Sequence, residues 1–317
     1  MNAFPNEVID IVGIGASTLD RFIVVDHFPT GREVQQAISS TVMIDRIGDD
    51  MVGRYILEDF HKYNVNTEGI QVDVDAKSGT ATILVKQKTG ERAVFFERST
   101  ATEPEFLEAH KQLIESAYIL HINGRHRKLM RSAMAVAKEV GTIISLDGGA
   151  QRYDEDMKPI TEASHIVIVA RDYAEKYTGT TNLEDACRII HERGAFIAGV
   201  TDGANGSYFV WPDGTSYRCE PFSQATVVDT TGAGDSFHGA FLYMLTKTLC
   251  KIADGTNTST MNETSQSLNA IDLLHSCAHE DLEKAATFAS AVAALNTQGI
   301  GGRSPLPSLE DIKALIG

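Results

Sequence analysis

Residues 118–146 read YILHINGRHRKLMRSAMAVAKEVGTIISL, and this stretch decides the fold. Residues 118–122 are a short apolar run that suits a strand. Over 128–140 the residues Leu129, Ala133, Val136, Ala137 and Val140 share one face of a helix. Gly141 ends that helix, and 142–146 is a second apolar strand. Apolar strands without polar alternation, separated by amphipathic helices, are the pattern of a parallel sheet covered on both faces. The rhythm continues outward in both directions. A helix over 106–117 comes before this stretch. A short helix near Ile160, a strand over 165–169, a helix over 183–193 closed by Gly194 and a strand over 196–200 come after it. Residues 8–14 add a first strand. The spacing predicts an α/β fold, a three-layer α/β/α sandwich with a mainly parallel sheet.

Two stretches break the rhythm. Residues 21–38 and 80–96 read as strands with polar turns at 29–31 and 88–90 and no helix between them, so a small β-flap standing off the main sheet is expected. The chain then divides into a core (1–19, 41–79 and 97–317) and a flap lid (20–40 and 80–96). Residues 256–267, TNTSTMNETSQS, are polar enough for a solvated loop.

Composition narrows the function. Of 317 residues, 28 are Lys or Arg and 43 are Asp or Glu, a net charge of −15. Such a balance argues against a broad nucleic-acid surface and against an anionic membrane surface. No apolar run is long enough to span a bilayer, and residues 1–17 carry no basic leader. Cys187, Cys219, Cys250 and Cys277 form no CxxC pair, which suits a reducing compartment without a zinc knuckle or disulfide framework. A cytoplasmic location is expected.

The chemistry concentrates in residues 227–241, VVDTTGAGDSFHGAF. A β run stops at Asp229, glycines follow, and a helical pattern then sets Phe237, Phe241 and Leu245 on one face. Glycines at such a junction let the backbone approach a ligand, and the first N–H groups of the helix point at it. Asp235 stands in the first turn. It could take a proton from an attacking hydroxyl while those amides hold a transferring phosphoryl group. By itself GAGD also suits a plain glycine turn with an acidic helix start. His121, His126 and His238 lie near strand ends or in this helix. A lone histidine is more often a surface or supporting group than a catalyst, and none of the three has metal-ligand spacing.

The whole string DTTGAGDSFxGAF resembles the second signature of the ribokinase-like, or PfkB, carbohydrate kinase family. Other segments share the resemblance: Asp20 after the first strand, IGDDMVG at 47–53, TDGANG at 201–206 and GGRSPLP at 301–307. The resemblance implies an ATP-dependent sugar kinase. In it Asp235 is the base and Gly232, Ala233 and Gly234 form the anion hole. Thr201, Gly203, Gly206 and Gly301 approach ATP, and Asp229 and Thr231 correspond to cation ligands. Asp20, Asn123 and Gly124 correspond to positions on the substrate side. The family uses ATP with Mg2+, many members need K+, and the flap is a common homodimer surface.

Three departures from the family pattern bear on the activity. QQAISSTVMIDRIGDD, from Gln35 to Asp50, passes from one strand to the next without the family's GGxxxN turn and the helix after it. Loss of that helix is expected to leave apolar surface exposed near Val12 and Ile44. The family's NxxE motif is replaced by Ala170-Arg171-Asp172-Tyr173, and Asn123 stands where related branches carry Asp. Alternative readings therefore stay open: a catalytically impaired binding or regulatory protein or a truncated gene product on the same fold, and a nucleoside kinase.

Overall fold

The apolar strands assemble into one sheet. The computed structural model describes residues 9–23, 41–85, 92–222, 226–257, 269–303 and 306–317. Its strands are β1 (Ile9–Ile14), β2 (Thr18–Ile23), β3 (Thr41–Gly48), β4 (Val65–Asp73), β5 (Gly79–Val85), β6 (Arg92–Glu97), β7 (Ala117–Ile122), β8 (Ile143–Gly148), β9 (Ile166–Ala170), β10 (Ile197–Thr201), β11 (Ser207–Val210) and β12 (Ser216–Cys219). Nine form a sheet in the order β12-β11-β10-β9-β8-β7-β1-β3-β4. From β10 to β4 every neighbour is parallel. β11 is antiparallel to both β10 and β12, which makes a meander at one edge.

Helices cover both faces, giving the three-layer sandwich. They are α1 (Met51–Lys62), α2 (Glu108–Glu115), α3 (Arg127–Val140), α4 (Lys158–Glu162), α5 (Arg171–Thr178), α6 (Leu183–Glu192), α7 (Ala233–Asn257), α8 (Ala270–His275), α9 (His279–Asn296) and α10 (Leu309–Ile316). On one face Leu113, Leu129, Ala133, Tyr173 and Ala186 from α2, α3, α5 and α6 meet Val12, Leu120, Leu146 and Val167. On the other a layer of isoleucines (Ile11, Ile119, Ile143, Ile166, Ile197) meets Phe241 and Leu245 of α7 and Leu282 and Ala289 of α9. Each large side chain buried in this way contributes about 1.5–3 kcal/mol before the entropy of ordering is counted. Gly141 closes α3 with φ +78°, as expected of a glycine at that place.

β2, β5 and β6 form a separate three-stranded sheet, β2 parallel to β5 and β5 antiparallel to β6. The flap turns expected at 29–31 and 88–90 lie outside the described residues, as does most of the loop expected at 256–267. Thr256 and Asn257 still belong to α7.

Val12 and Ile44 are not exposed as the sequence leads one to expect. Both are fully buried, in one cluster with Leu113 and Ile114 of α2. Their strands alternate, so Val12 and Ile44 face α2, and it is Gly13 and Met43 that face the opposite side. There Met43 lies over Gly13, its sulfur 3.4 Å from where a Cβ would stand, and both are half-buried. Among the described residues no helix intervenes between β1 and β3. From the far end of the chain Arg303 reaches α1, pairing with Asp59 and lying 6.0 Å from the centre of the Tyr63 ring.

The GDDxxG segment is a folding junction. Asp50 caps α1 by accepting from the Gly53 amide at 2.7 Å, and it also accepts from the Ser78 amide at 3.0 Å and hydroxyl at 2.8 Å. A side chain on Gly48 would collide with the Ala76 carbonyl, and one on Gly53 with the Gly48 carbonyl. Burial pushes the Asp50 carboxyl up, but these hydrogen bonds outweigh it and hold the group below its ordinary value. A carboxyl that is more acidic in the folded state stabilises at neutral pH, and that stabilisation is lost as pH falls through the folded value. Asp50→Ala should cost about 1–2 kcal/mol in urea unfolding at pH 7, and less at pH 3. An equal cost at both values would contradict this account.

Candidate active site

The site begins where the chain turns into α7. The Val228 and Asp229 amides both donate to the Thr297 carbonyl, at 2.7 and 3.1 Å, which ties the loop to the end of α9. Asp229 is buried. One of its oxygens accepts from the Thr231 amide (2.9 Å) and hydroxyl (2.8 Å), and the other accepts from the Gly301 amide at 3.0 Å. Asp229 therefore clasps the glycine loop to the closing loop. Gly232 has φ +74°, and a Cβ on it would overlap Gly302, whose carbonyl oxygen would be 2.8 Å away. Gly234 is different, since a Cβ there would meet nothing within 4 Å. Its amide makes no hydrogen bond among the described residues, whereas the Ala233 amide is turned to the Thr230 carbonyl at 3.3 Å. An unused amide beside open space at a helix N-terminus suits an anion.

Asp235 stands in the first turn of α7 and is accessible from solvent. The protein around it removes enough water to push its carboxyl up, and Asp147 pushes the same way. Arg152 and His238 oppose them. Asp147 ends β8 and is buried. Its carboxylate receives His238 Nε2 at 3.2 Å and Arg152 at 3.3 Å. Burial alone would raise its carboxyl, but His238 and Arg152 hold it well below the usual range. Arg152 also donates to the Asn123 carbonyl at 3.4 Å. His121 packs 5.7 Å from the His238 ring, with Nδ1 3.2 Å from the Ser145 hydroxyl. Burial pushes His121 down to about 4, so it is neutral at pH 7.

Topology explains why these groups gather. β1 leads to β3 and β4 in one direction and β7 leads to β8, β9 and β10 in the other, so the sheet reverses between β1 and β7. A crevice forms at the carboxyl ends of strands at such a point. Asn123 lies there, its Nδ2 2.8 Å from where a Gly15 side chain would begin, and Gly124 turns with φ +80°. Asn123, Arg152, Asp147, His238 and Asp235 thus form one polar line along this edge. On its far side Asp45, 1% exposed, accepts from the Ser17 amide at 2.6 Å and pairs with His126 at 2.8 Å. His126 has φ +51°, uncommon for a residue with a side chain. Asp20 lies in β2, in register with Ala81 of β5.

The TDGANG segment is the hairpin between β10 and β11. Thr201 pairs with Ser207, and the Asp202 amide donates to the Gly206 carbonyl at 2.9 Å. A side chain on Gly206 would collide with the Cys219 carbonyl, while Gly203 faces open space. Where the family carries NxxE, Arg171 pairs with Asp202 at 2.6 Å and Glu175 at 3.1 Å. Asp172 accepts from the Gln151 amide at 2.6 Å, and buried Tyr173 bonds Thr161 at 2.7 Å. A cavity of about 640 Å3 beside the hairpin is lined by Arg171, Asn182, Asp202, Tyr208 and Arg218. It holds no residue of α7 and is separate from Asp235.

Sequence reasoning overlooked Asp45, Asp147 and Arg152. For the two acids the available signal was a lone carboxylate within a mainly apolar strand, IISLDG at 143–148 and TVMIDRIG at 41–48, whereas Arg152 follows the strand in a loop. Among the described residues no group of three or more His, Cys, Asp or Glu suits a metal ion, and no helix is long and apolar enough to cross a membrane. All four cysteines are free thiols.

A family model described as pfkB family carbohydrate kinase matches residues 32–309. Probable fructokinase-5 of Arabidopsis thaliana is 28% identical over 294 residues, spanning 87% of this chain and 82% of that protein. In fold the chain resembles Arabidopsis thaliana ribokinase complexed with ribose and ATP (TM-score 0.72, 18% identity, 98% of this chain and 99% of that one). It also resembles a double-mutant fructokinase of Vibrio cholerae O395 in a form with fructose, ADP and potassium bound (TM-score 0.71, 18% identity, 98% and 99%).

Proposed function

The chain belongs to the pfkB family of carbohydrate kinases, and on that premise we propose that it transfers the γ-phosphate of ATP to a hydroxyl of a sugar or a related small molecule, with Asp235 as the base. The observation that carries this reading is the start of α7. There an unused Gly234 amide, a helix N-terminus and an accessible carboxylate stand together at the switch-point edge. The acceptor hydroxyl approaches Asp235 from the crevice beside Asn123 and Gly124, with Asp20 on the flap side. Asp235 takes the proton as the oxygen attacks the γ-phosphorus in line with the departing ADP. The loop 232–234 and the positive end of α7 receive the charge on the transferring group. The nucleotide lies along Thr201, Gly203 and Gly206 and the closing loop at Gly301, and Mg2+ enters with it as the MgATP substrate.

A monovalent cation suits the clasp under the glycine loop. Asp229 and the Thr231 carbonyl are oxygen donors there, Asn296 Nδ2 donates to that carbonyl at 3.3 Å, and the buried Asn296 Oδ1 has no hydrogen-bond partner. K+ held by Asp229 and Thr231 would supply positive charge behind the loop. A homodimer through the flap belongs to the same proposal. Phe95 and Phe96, consecutive on the edge strand β6, are 60% and 49% exposed.

A second reading, a binding protein that has lost turnover, draws on the replaced NxxE segment, where Tyr173 is buried and Asp172 is engaged by Gln151. ADP release measured at fixed MgATP across fructose, other ketoses, aldopentoses and nucleosides separates the two. Saturable release that depends on a sugar supports the kinase, and release only with nucleosides moves the acceptor class. ATP binding with no acceptor-dependent release favours the second reading.

A further inference from the structure

Behind Asp235 lies a largely buried polar set that packing alone does not call for. The side chains of Asp147 and His238 are only 8% and 6% exposed, and Arg152 completes the set from the loop after β8. His238 Nδ1 is buried with no hydrogen-bond partner. Taking a carboxylate out of water is costly until its partners offset it, and apolar residues of similar volume commonly serve stability as well. The position of the set is specific. His238 follows Asp235 by three residues on α7, so the two share a face of the helix. That face meets the end of β8, where Asp147 stands.

Resting on the kinase reading above, we propose that Asp147 is a positioning residue for proton transfer: its negative charge, fixed by His238 and Arg152, keeps Asp235 a strong proton acceptor. The charged or titratable groups around Asp235 are Asp147 of β8, joined to the Asp235 face of α7 through His238 Nε2 at 3.2 Å, Arg152 of the following loop, 3.3 Å from Asp147, and His238 itself. His121 lies one layer further back and is neutral at pH 7. A carboxylate near a second carboxylate holds its proton more tightly, and a nearby guanidinium has the opposite effect. The two fixed charges therefore pull Asp235 in opposite directions. The reaction needs Asp235 ionised before transfer and able to hold the acceptor proton during it.

The test is the titration of the Asp235 carboxyl in the full chain, labelled with 13C at aspartate Cγ and followed by NMR without nucleotide or sugar. The resonance is identified by its loss in Asp235→Asn. In Asp147→Asn it should titrate roughly half a pH unit or more lower than in the unmodified protein, and in Arg152→Gln it should titrate higher. General loosening of the site would not produce opposite movements. An unchanged titration in both variants, or movement in the same direction in both, overturns the proposal. If Asp147→Asn fails to fold, Asp147→Ser is titrated in its place: a lower Asp235 value supports the proposal and an unmoved one overturns it. The titration needs no turnover. Opposite movements in a protein that phosphorylates nothing would sink the kinase reading, and an unmoved titration in an active enzyme would sink this one.

Discussion

Asp235→Asn should lower kcat by roughly 10²–10⁴-fold, the usual contribution of a general base, while the Kd for MgATP changes little. The substitution keeps the size of the side chain and removes its capacity to accept the hydroxyl proton. The fold should tolerate it. Asp235 is accessible, yet the protein around its carboxylate displaces water and Asp147 adds a like charge, both of which disfavour ionisation, so a neutral amide relieves a cost. Thermal unfolding should therefore stay level or rise slightly while turnover collapses. Parallel measurement of kcat, ATP affinity and Tm distinguishes a lost base from a damaged loop. A near-normal kcat would remove Asp235 from the role.

Gly232→Ala should be severely damaging for a single added methyl. The residue combines φ +74° with backbone contact to Gly302, so an added Cβ is both strained and obstructed. Positive φ alone costs about 1–2 kcal/mol, and the closing loop must also move away. That movement would pull on the hydrogen bond from the Gly301 amide to Asp229. A loss of about 2–4 kcal/mol in unfolding free energy is expected, with a loss of turnover well beyond tenfold. Gly234→Ala is the control. Its Cβ has open space within the protein, so stability should move by well under 1 kcal/mol from that source, apart from a small gain in helix propensity. Any loss of rate there comes from crowding the phosphoryl group. Equal stability effects at the two glycines would contradict the assigned geometry.

The sheet was legible because its strands carry an unbroken apolar signal. IISLDG and IVIVA are buried along almost their whole length, and nothing but a central parallel strand suits such runs. The glycine loop was legible because its spacing is rigid: Gly232 and Gly301 each hold a positive φ that few other residues adopt. The ionic set was not legible. Asp147 and Arg152, at the end of β8 and in the loop after it, meet His238 of α7 only through the fold, and a lone acid at a strand end also suits a simple turn. The burial of Val12 and Ile44 was misjudged for a related reason. Loss of a helix says which connection changed, whereas the face exposed depends on strand parity, and these two residues point toward α2.

The central claim is that the start of α7 delivers a phosphoryl group to an alcohol. Its most direct measurement is 31P NMR of the full chain with MgATP and the acceptor that gives the fastest ADP release. A phosphomonoester resonance should grow in step with the loss of the γ-phosphate signal and should be nearly absent with Asp235→Asn. Inorganic phosphate as the sole product, or ester formation at an equal rate in that variant, would contradict the account.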